Sequence, residues 1–284
     1  MATLEALKPD IVAGQLLARL NDSLVFTNVA NTDYQGQITS YGQSVRIVQV
    51  GPVAVNSYTM GTTSDLTIEQ LDVAGQVLAI DQAATYSFTI EDADNAQARV
   101  KILNDGITEA AWSLRDNIDA YLAALYADAA IAVGGTSTTG ADITSTNIMA
   151  YFMEAARKLD ETNTPEMGRW AVLPPWMVHK ANMAGIIQKT DNNSVFTTGS
   201  QGNVYGFEVY KSNQIKAISG TNRYPCLFGY RGAMAMATQV LNAEVVRPSK
   251  QFVTLAKGLV VYGAKVTRPN NLGVLYADYT AEAT

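Results

Sequence analysis

The sequence is poor in the residues that most often carry chemistry. Its 284 residues include one cysteine, Cys226, and one histidine, His179. A single cysteine excludes an intramolecular disulfide and leaves no thiolate cluster for a metal. A single histidine cannot supply a two- or three-histidine metal site or a repeated acid/base role. Charge is also scarce: 16% of residues are Asp, Glu, Lys or Arg, against roughly 25% in an average soluble domain. The formal net charge is -6, and the basic residues, among them Lys158, Lys180, Lys189, Lys211 and Lys216, are dispersed. That excludes the clustered cations needed to wrap nucleic acid. It is compatible with merely enclosing it. No apolar run is long enough to span a bilayer, because the stretch 122–133 is broken by Asp128. The first residues carry Glu5 and Asp10 instead of a basic leader followed by an apolar core, so a cytoplasmic site of synthesis and assembly is expected. Nothing repeats internally, which excludes a solenoid or propeller.

What is present is a substantial apolar fraction, 48%, enough for a real core in a chain of this length. The patterning mixes both periods, so the expected fold class is α+β. Residues 9–20 place Ile11, Val12, Leu16 and Leu20 on one helical stripe behind Pro9. Residues 21–42 are rich in Asn, Thr, Gln and Gly and are expected to form an extended arm lying on other surfaces. Val45, Ile47, Val50, Val53 and Val55, then Leu78, Ile80, Tyr86, Phe88 and Ile90, suggest a long two-stranded excursion whose tip, 56–65, has no core of its own.

From Asp92 or Asp94, either a good N-cap, the pattern turns helical. Ala96, Val100, Leu103, Ile107, Ala111, Leu114, Ile118, Tyr121 and Leu125 recur at steps of three and four. A helix running to Ala127 would be about 50 Å long. Gly106 is its one flaw and the expected site of a bend. Residues 134–146 read as a flexible Gly/Ser/Thr linker and a domain boundary. A second helix follows through Ile148, Phe152, Ala156 and Leu159, then a strand at 170–173 and a third helix from Pro175 to a stop at Gly185. A polar loop at 191–203 precedes strands at 204–210, 227–230, 243–246, 259–265 and 274–279.

Enzyme signatures fail one by one. His179 lies within a helix and has no partner histidine. Cys226 sits in the apolar run with Leu227 and Phe228 and reads as a small core residue. Asp92, Asp94 and Asn95 resemble a calcium loop only until Gln97, where glycine is required. Residues 135–140 have the second glycine, Gly140, one place too late for a nucleophile elbow. Gly199, Gly202 and Gly206 precede a strand, whereas phosphate-cradling glycines follow one and open a helix. Asp116 with Asp119, and Glu154 with Asp160, have the spacing of a solvated helix face. No catalytic, cofactor-binding or metal-binding residue is therefore assigned, and no cofactor is expected.

Several stretches, in order, resemble the major capsid proteins of tailed bacteriophages, with their Hong-Kong-phage-type capsid fold, in the branch related to the coat protein of the Salmonella short-tailed phage. Pro9-Asp-Ile-Val-Ala-Gly-Gln-Leu-Leu and Leu24-Val-Phe-Thr-Asn-Val-Ala-Asn-Thr-Asp-Tyr-Gln-Gly look like that group's opening helix and arm. Gly42-Gln-Ser-Val-Arg-Ile looks like the start of its extended loop. Leu78 to Gln82, and Tyr86 through Asp92 to Gln97, look like the lead into its spine helix. Gly206-Phe-Glu-Val-Tyr-Lys-Ser-Asn looks like the strand after its apical loop.

The resemblance implies an N-terminal helix and arm over 1–42 and an extended loop over 43–82. It further implies a peripheral domain with the spine helix over 83–133 and 241–284, and an apical domain over 134–240. The Salmonella-phage protein carries an inserted immunoglobulin-like domain for which this chain has no room. Implied too is a non-enzymatic role: self-assembly into pentamers and hexamers of an icosahedral head enclosing double-stranded DNA without sequence-specific binding. The implied partners are further copies of the chain, a separate scaffolding protein, a portal and optionally a decoration protein, with no membrane. The location implied is the virion, after assembly in the host cytoplasm. The alternatives are an encapsulin-type nanocompartment shell and a phage tail or adaptor component.

Overall fold

The computed structural model describes residues 25–34, 44–50, 73–91, 99–185, 200–248 and 253–281. The expected helix at 9–20, the tip at 56–65, the caps Asp92 and Asp94, and most of the loop at 191–203 lie outside them.

The chain forms a single helical turn α1 (Phe26–Val29) and strands β1 (Ser44–Val50), β2 (Val73–Ala79) and β3 (Gln82–Glu91). The long helix α2 (Arg99–Ala124) follows, and a 3-10 turn (Leu125–Asp128) ends it three residues before the expected boundary would require a straight α-helix. Then come β4 (Ile131–Val133), β5 (Ala141–Ile143), α3 (Ile148–Glu161), β6 (Arg169–Leu173) and α4 (Pro175–Met183). The remainder is β7 (Ser200–Val204), β8 (Phe207–Lys211), β9 (Arg223–Tyr230), β10 (Met234–Val246), β11 (Val253–Val266) and β12 (Leu272–Tyr279).

These strands make a two-stranded ladder β1-β2, a three-stranded sheet β10-β11-β3, and a seven-stranded sheet in the order β4-β12-β9-β6-β8-β7 with β5 also on β12. Along α2, Ile107, Ala111, Leu114, Ile118 and Leu122 are buried at steps of three and four, the spacing that keeps one face of a helix on its support. That face packs with Tyr86, Ile90, Ala256 and Val260 of the three-stranded sheet, and with Trp170, Val172 and Leu227 of the seven-stranded one. The opposite face of the larger sheet, with Ala171, Leu173 and Phe228, packs on Phe152, Leu159 and Met177 of α3 and α4. Central β6 is therefore buried at every position, as a strand covered on both faces must be. The base of the β1-β2 ladder lays Val45, Ile47, Leu78 and Ile80 on Ala235, Ala237 and Val261.

Three sequence expectations need correction. The stretch expected as an arm on other surfaces is packed at residues 26–30, with Phe26 and Ala30 at 0% exposure. The expected linker at 134–146 is built into the fold: its residues 141–143 form β5, parallel to β12, and its turn is closed by Thr136 N–H donating to the Thr139 carbonyl at 2.7 Å. The strand expected at 204–210 is two strands, separated by Tyr205 (φ 46°) and Gly206 (φ 83°), both left-handed as a tight hairpin requires. The last strand, β12, which the resemblance groups with the spine helix, pairs antiparallel with β9 inside the seven-stranded sheet. Gly106 has a packing reason: a Cβ there would stand 2.7 Å from the Phe88 ring.

Candidate functional site

The residues weighed for chemistry are scattered and each has a structural occupation. His179 is exposed on α4. Cys226, at 1% exposure, points its thiol at Met177 Sδ, 3.7 Å away, and burial pushes it above the usual thiol range. Glu154 is held by Arg157 at 2.9 and 2.6 Å, and Arg157 also reaches Glu161. Those bonds hold the Glu154 carboxyl below its ordinary range. Asp160 accepts from Arg169 Nη2 at 2.6 Å. Gly202 is buried and Gly206 exposed in the β7-β8 hairpin, and residues 135–140 form the turn before β5. Asp92, Asp94, Asn95 and Gly199 lie outside the described residues.

Asp116 and Asp119 are not the solvated pair their spacing suggests. Asp116 binds Arg115 at 2.6 and 3.0 Å. Asp119 is 1% exposed, and burial pushes its carboxyl up to about 7. The available signal was its place on the apolar stripe, beside Ile118 and Leu122. Two buried cations also went unread. Lys180, 3% exposed, donates to the carbonyls of Ile143 and Thr280, both at 2.6 Å. Arg223 binds Asp278 through two nitrogens at 2.9 Å each. Each fastens a late segment to the seven-stranded sheet.

Among the described residues no group of three or more His, Cys, Asp or Glu side chains could hold a metal ion, and no helix is long and apolar enough to cross a membrane. What the surface does offer is contact chemistry. Trp112 (48% exposed), Met167 (87%) and Tyr205 (53%) stand out from it. The parallel register Arg169↔Phe207 brings the last two to one end of the seven-stranded sheet.

The arrangement of a long helix between two sheets, with a ladder based on the smaller one, has counterparts among solved structures. Over 89% of this chain and 91% of its own, a chain of Mycobacterium phage Che8 superposes with a TM-score of 0.66 at 23% identity. The capsid structure of cyanophage P-SCSP1u covers 91% and 89%, with a TM-score of 0.63 at 19% identity. The virus-like particle of Pyrococcus furiosus covers 94% and 98%, with a TM-score of 0.56 at 11% identity. No curated protein matches the chain. The fold is thus that of tailed-phage capsid proteins, a class whose business is building a shell. The sequence profile described as phage capsid protein matches residues 74–274, more than half of the chain, and the chain belongs to that family. Its role is structural, in the capsid of a bacteriophage virion.

Proposed function

We propose that this chain is the major capsid protein whose copies form pentamers and hexamers, and that these close into an icosahedral head around double-stranded DNA. The observation that carries the reading is the reciprocal coverage: phage structures match nearly the whole chain and are themselves nearly wholly matched. In this reading residues 1–42 are the N-terminal arm, 43–82 the extended loop and α2 the spine of the peripheral domain. The apical domain covers 134–240, and β12, from the 241–284 segment, joins the sheet of that domain with which it pairs. The branch is that of the Salmonella short-tailed phage coat protein. A separate scaffolding protein, a portal and optionally a decoration protein complete the partner set. Catalysis has no part in the role.

A second reading, an encapsulin-type shell, is supported by the coverage of the Pyrococcus furiosus particle. Sedimentation of the chain co-expressed with its scaffolding protein tests both. Fast-sedimenting particles are expected, and a species that stays monomeric or dimeric under all such conditions contradicts either shell. Nuclease-protected phage DNA inside particles recovered from infected cells favours the head over the nanocompartment.

A further inference from the structure

Three connections meet at one end of the seven-stranded sheet. One leads from the end of α2 through Ala130 into β4, one from β9 through the turn Arg231–Ala233 into β10, and one from β11 through the turn Pro269–Asn271 into β12. The register sets Gly273 beside Ile131 and Leu272 opposite Gly229, which brings the three together. They are bonded to one another. Ala130 N–H donates to the Pro269 carbonyl at 3.2 Å, and the Thr267 and Arg268 amides donate to the Ala233 carbonyl at 2.8 and 3.1 Å. The buried Thr267 hydroxyl adds to the same crossing, 2.9 Å from the Gly232 carbonyl and 3.0 Å from that of Ala233.

The β1-β2 ladder is fastened to this junction. Its apolar base rests on Ala235, Ala237 and Val261, and apolar contact is non-directional, so short side chains there do not fix an angle. Direction comes from hydrogen bonds, which weaken steeply off their axis. Gln76 Nε2 donates to the Thr267 carbonyl at 3.0 Å, and Lys265 Nζ donates to the Val77 carbonyl at 3.0 Å. The lysine bond lies open to water, whereas the glutamine bond is partly buried and is the firmer of the two. Among the described residues Gln76 Oε1 has no hydrogen-bond partner, so this side chain holds through its nitrogen alone. Thr267 thus gives its amide and hydroxyl to the crossing between the sheets and its carbonyl to the ladder.

We infer that Thr267 is a coupling node that makes the angle of the β1-β2 ladder follow the junction between the two sheets. A displacement of one sheet against the other moves the Ala233 carbonyl, carries Thr267 with it and redirects the ladder through Gln76. Coupling between two sites is reciprocal, so freeing the ladder loosens the junction in turn. The device lies within one subunit and does not depend on what its copies assemble into.

Nitroxide labels placed through Arg46→Cys on the ladder and Thr89→Cys on β3, both exposed positions, test the node by electron spin resonance distances, with Cys226 buried and unlabelled. The doubly labelled full chain should give one narrow distance. Thr267→Val and Gln76→Met should each lose it to a broad spread, while Thr267→Ser, which keeps the hydroxyl, should retain it. Gln76→Met should also speed hydrogen exchange at the Thr267 and Arg268 amides about fivefold, the effect of one hydrogen bond. A Thr267→Val protein that keeps the narrow distance overturns the inference, as does a Thr267→Ser protein that loses it. Should Thr267→Val not fold, exchange in Gln76→Met decides. The expected rise at Thr267 and Arg268 supports the node, and an unchanged rate overturns it.

Discussion

Arg223 grips Asp278 with two nitrogens, each 2.9 Å from its own carboxylate oxygen, and turns Nη1 to the Ser137 carbonyl at 2.9 Å. One guanidinium thereby ties β9, β12 and the turn before β5 together. Lysine carries a single point donor and cannot reproduce the fork. Arg223→Lys should cost about 2 kcal/mol, because the carboxylate beside it is largely withdrawn from water. A chain of this size should then melt about 5 °C lower. Gly140→Ala should act in the same direction, since a Cβ there would collide with both members of the pair. Thermal melts followed by circular dichroism check both. An unchanged melting temperature for Arg223→Lys contradicts the assigned role.

Gly106 and Phe88 should be coupled. Ala at an exposed helix interior normally gains about 1 kcal/mol over Gly, but here the new methyl would press on the Phe88 ring. Gly106→Ala alone should therefore fail to stabilise. In a Phe88→Ala background it should recover most of that 1 kcal/mol. A double-mutant cycle in denaturant reads the interaction directly, and simple additivity would contradict the contact.

The Cys226 thiol should be silent in the native state. It is buried and held in its protonated form, so a thiol reagent at pH 8 should label it only after unfolding. Cys226→Ser should destabilise by about 1–3 kcal/mol, as a hydroxyl enters an apolar core where the nearest carbonyl, that of Tyr224, stands 3.6 Å from the present thiol. Fast labelling of the folded chain would contradict the packing.

Folding and assembly should separate. Leu114 is 2% exposed on α2, and Leu114→Asp buries an uncompensated charge, a cost of several kcal/mol against a total of about 5–15. Soluble folded protein should be lost. Removing residues 57–65, by contrast, should leave the circular dichroism melt unchanged and abolish particles, because the proposed head relies on the extended loop to join neighbouring copies. A tip deletion that unfolds the subunit, or that leaves normal particles, contradicts the loop's assigned role.

The elements legible in the sequence are those whose partners are periodic or near. The α2 stripe through Ile107, Leu114 and Leu122 and the Pro175 start of α4 declare themselves within a few residues. What stayed hidden depends on distant pairing. The turn at Phe26 is held by a carboxylate 93 positions away, and polar neighbours such as Thr27 and Asn28 disguise it as arm. The three-residue strands β4 and β5 exist because β12 runs beside both, so no local signal marks them. At Tyr205 the apolar alternation runs straight through a turn. Asp119 looked solvated because spacing shows a helix face without showing what lies on it. The exposed apolar side chains Met167 and Tyr205 belong to no motif, and only the β6-β8 register sets them at one end of the sheet.

The central claim is that copies of this chain form the pentamers and hexamers of a closed head. Averaged electron micrographs of particles assembled from the chain and its scaffolding protein test it most directly. Closed shells with this chain clustered around five- and six-fold positions are the predicted result. Stacked rings or open tubes of the same chain would contradict it.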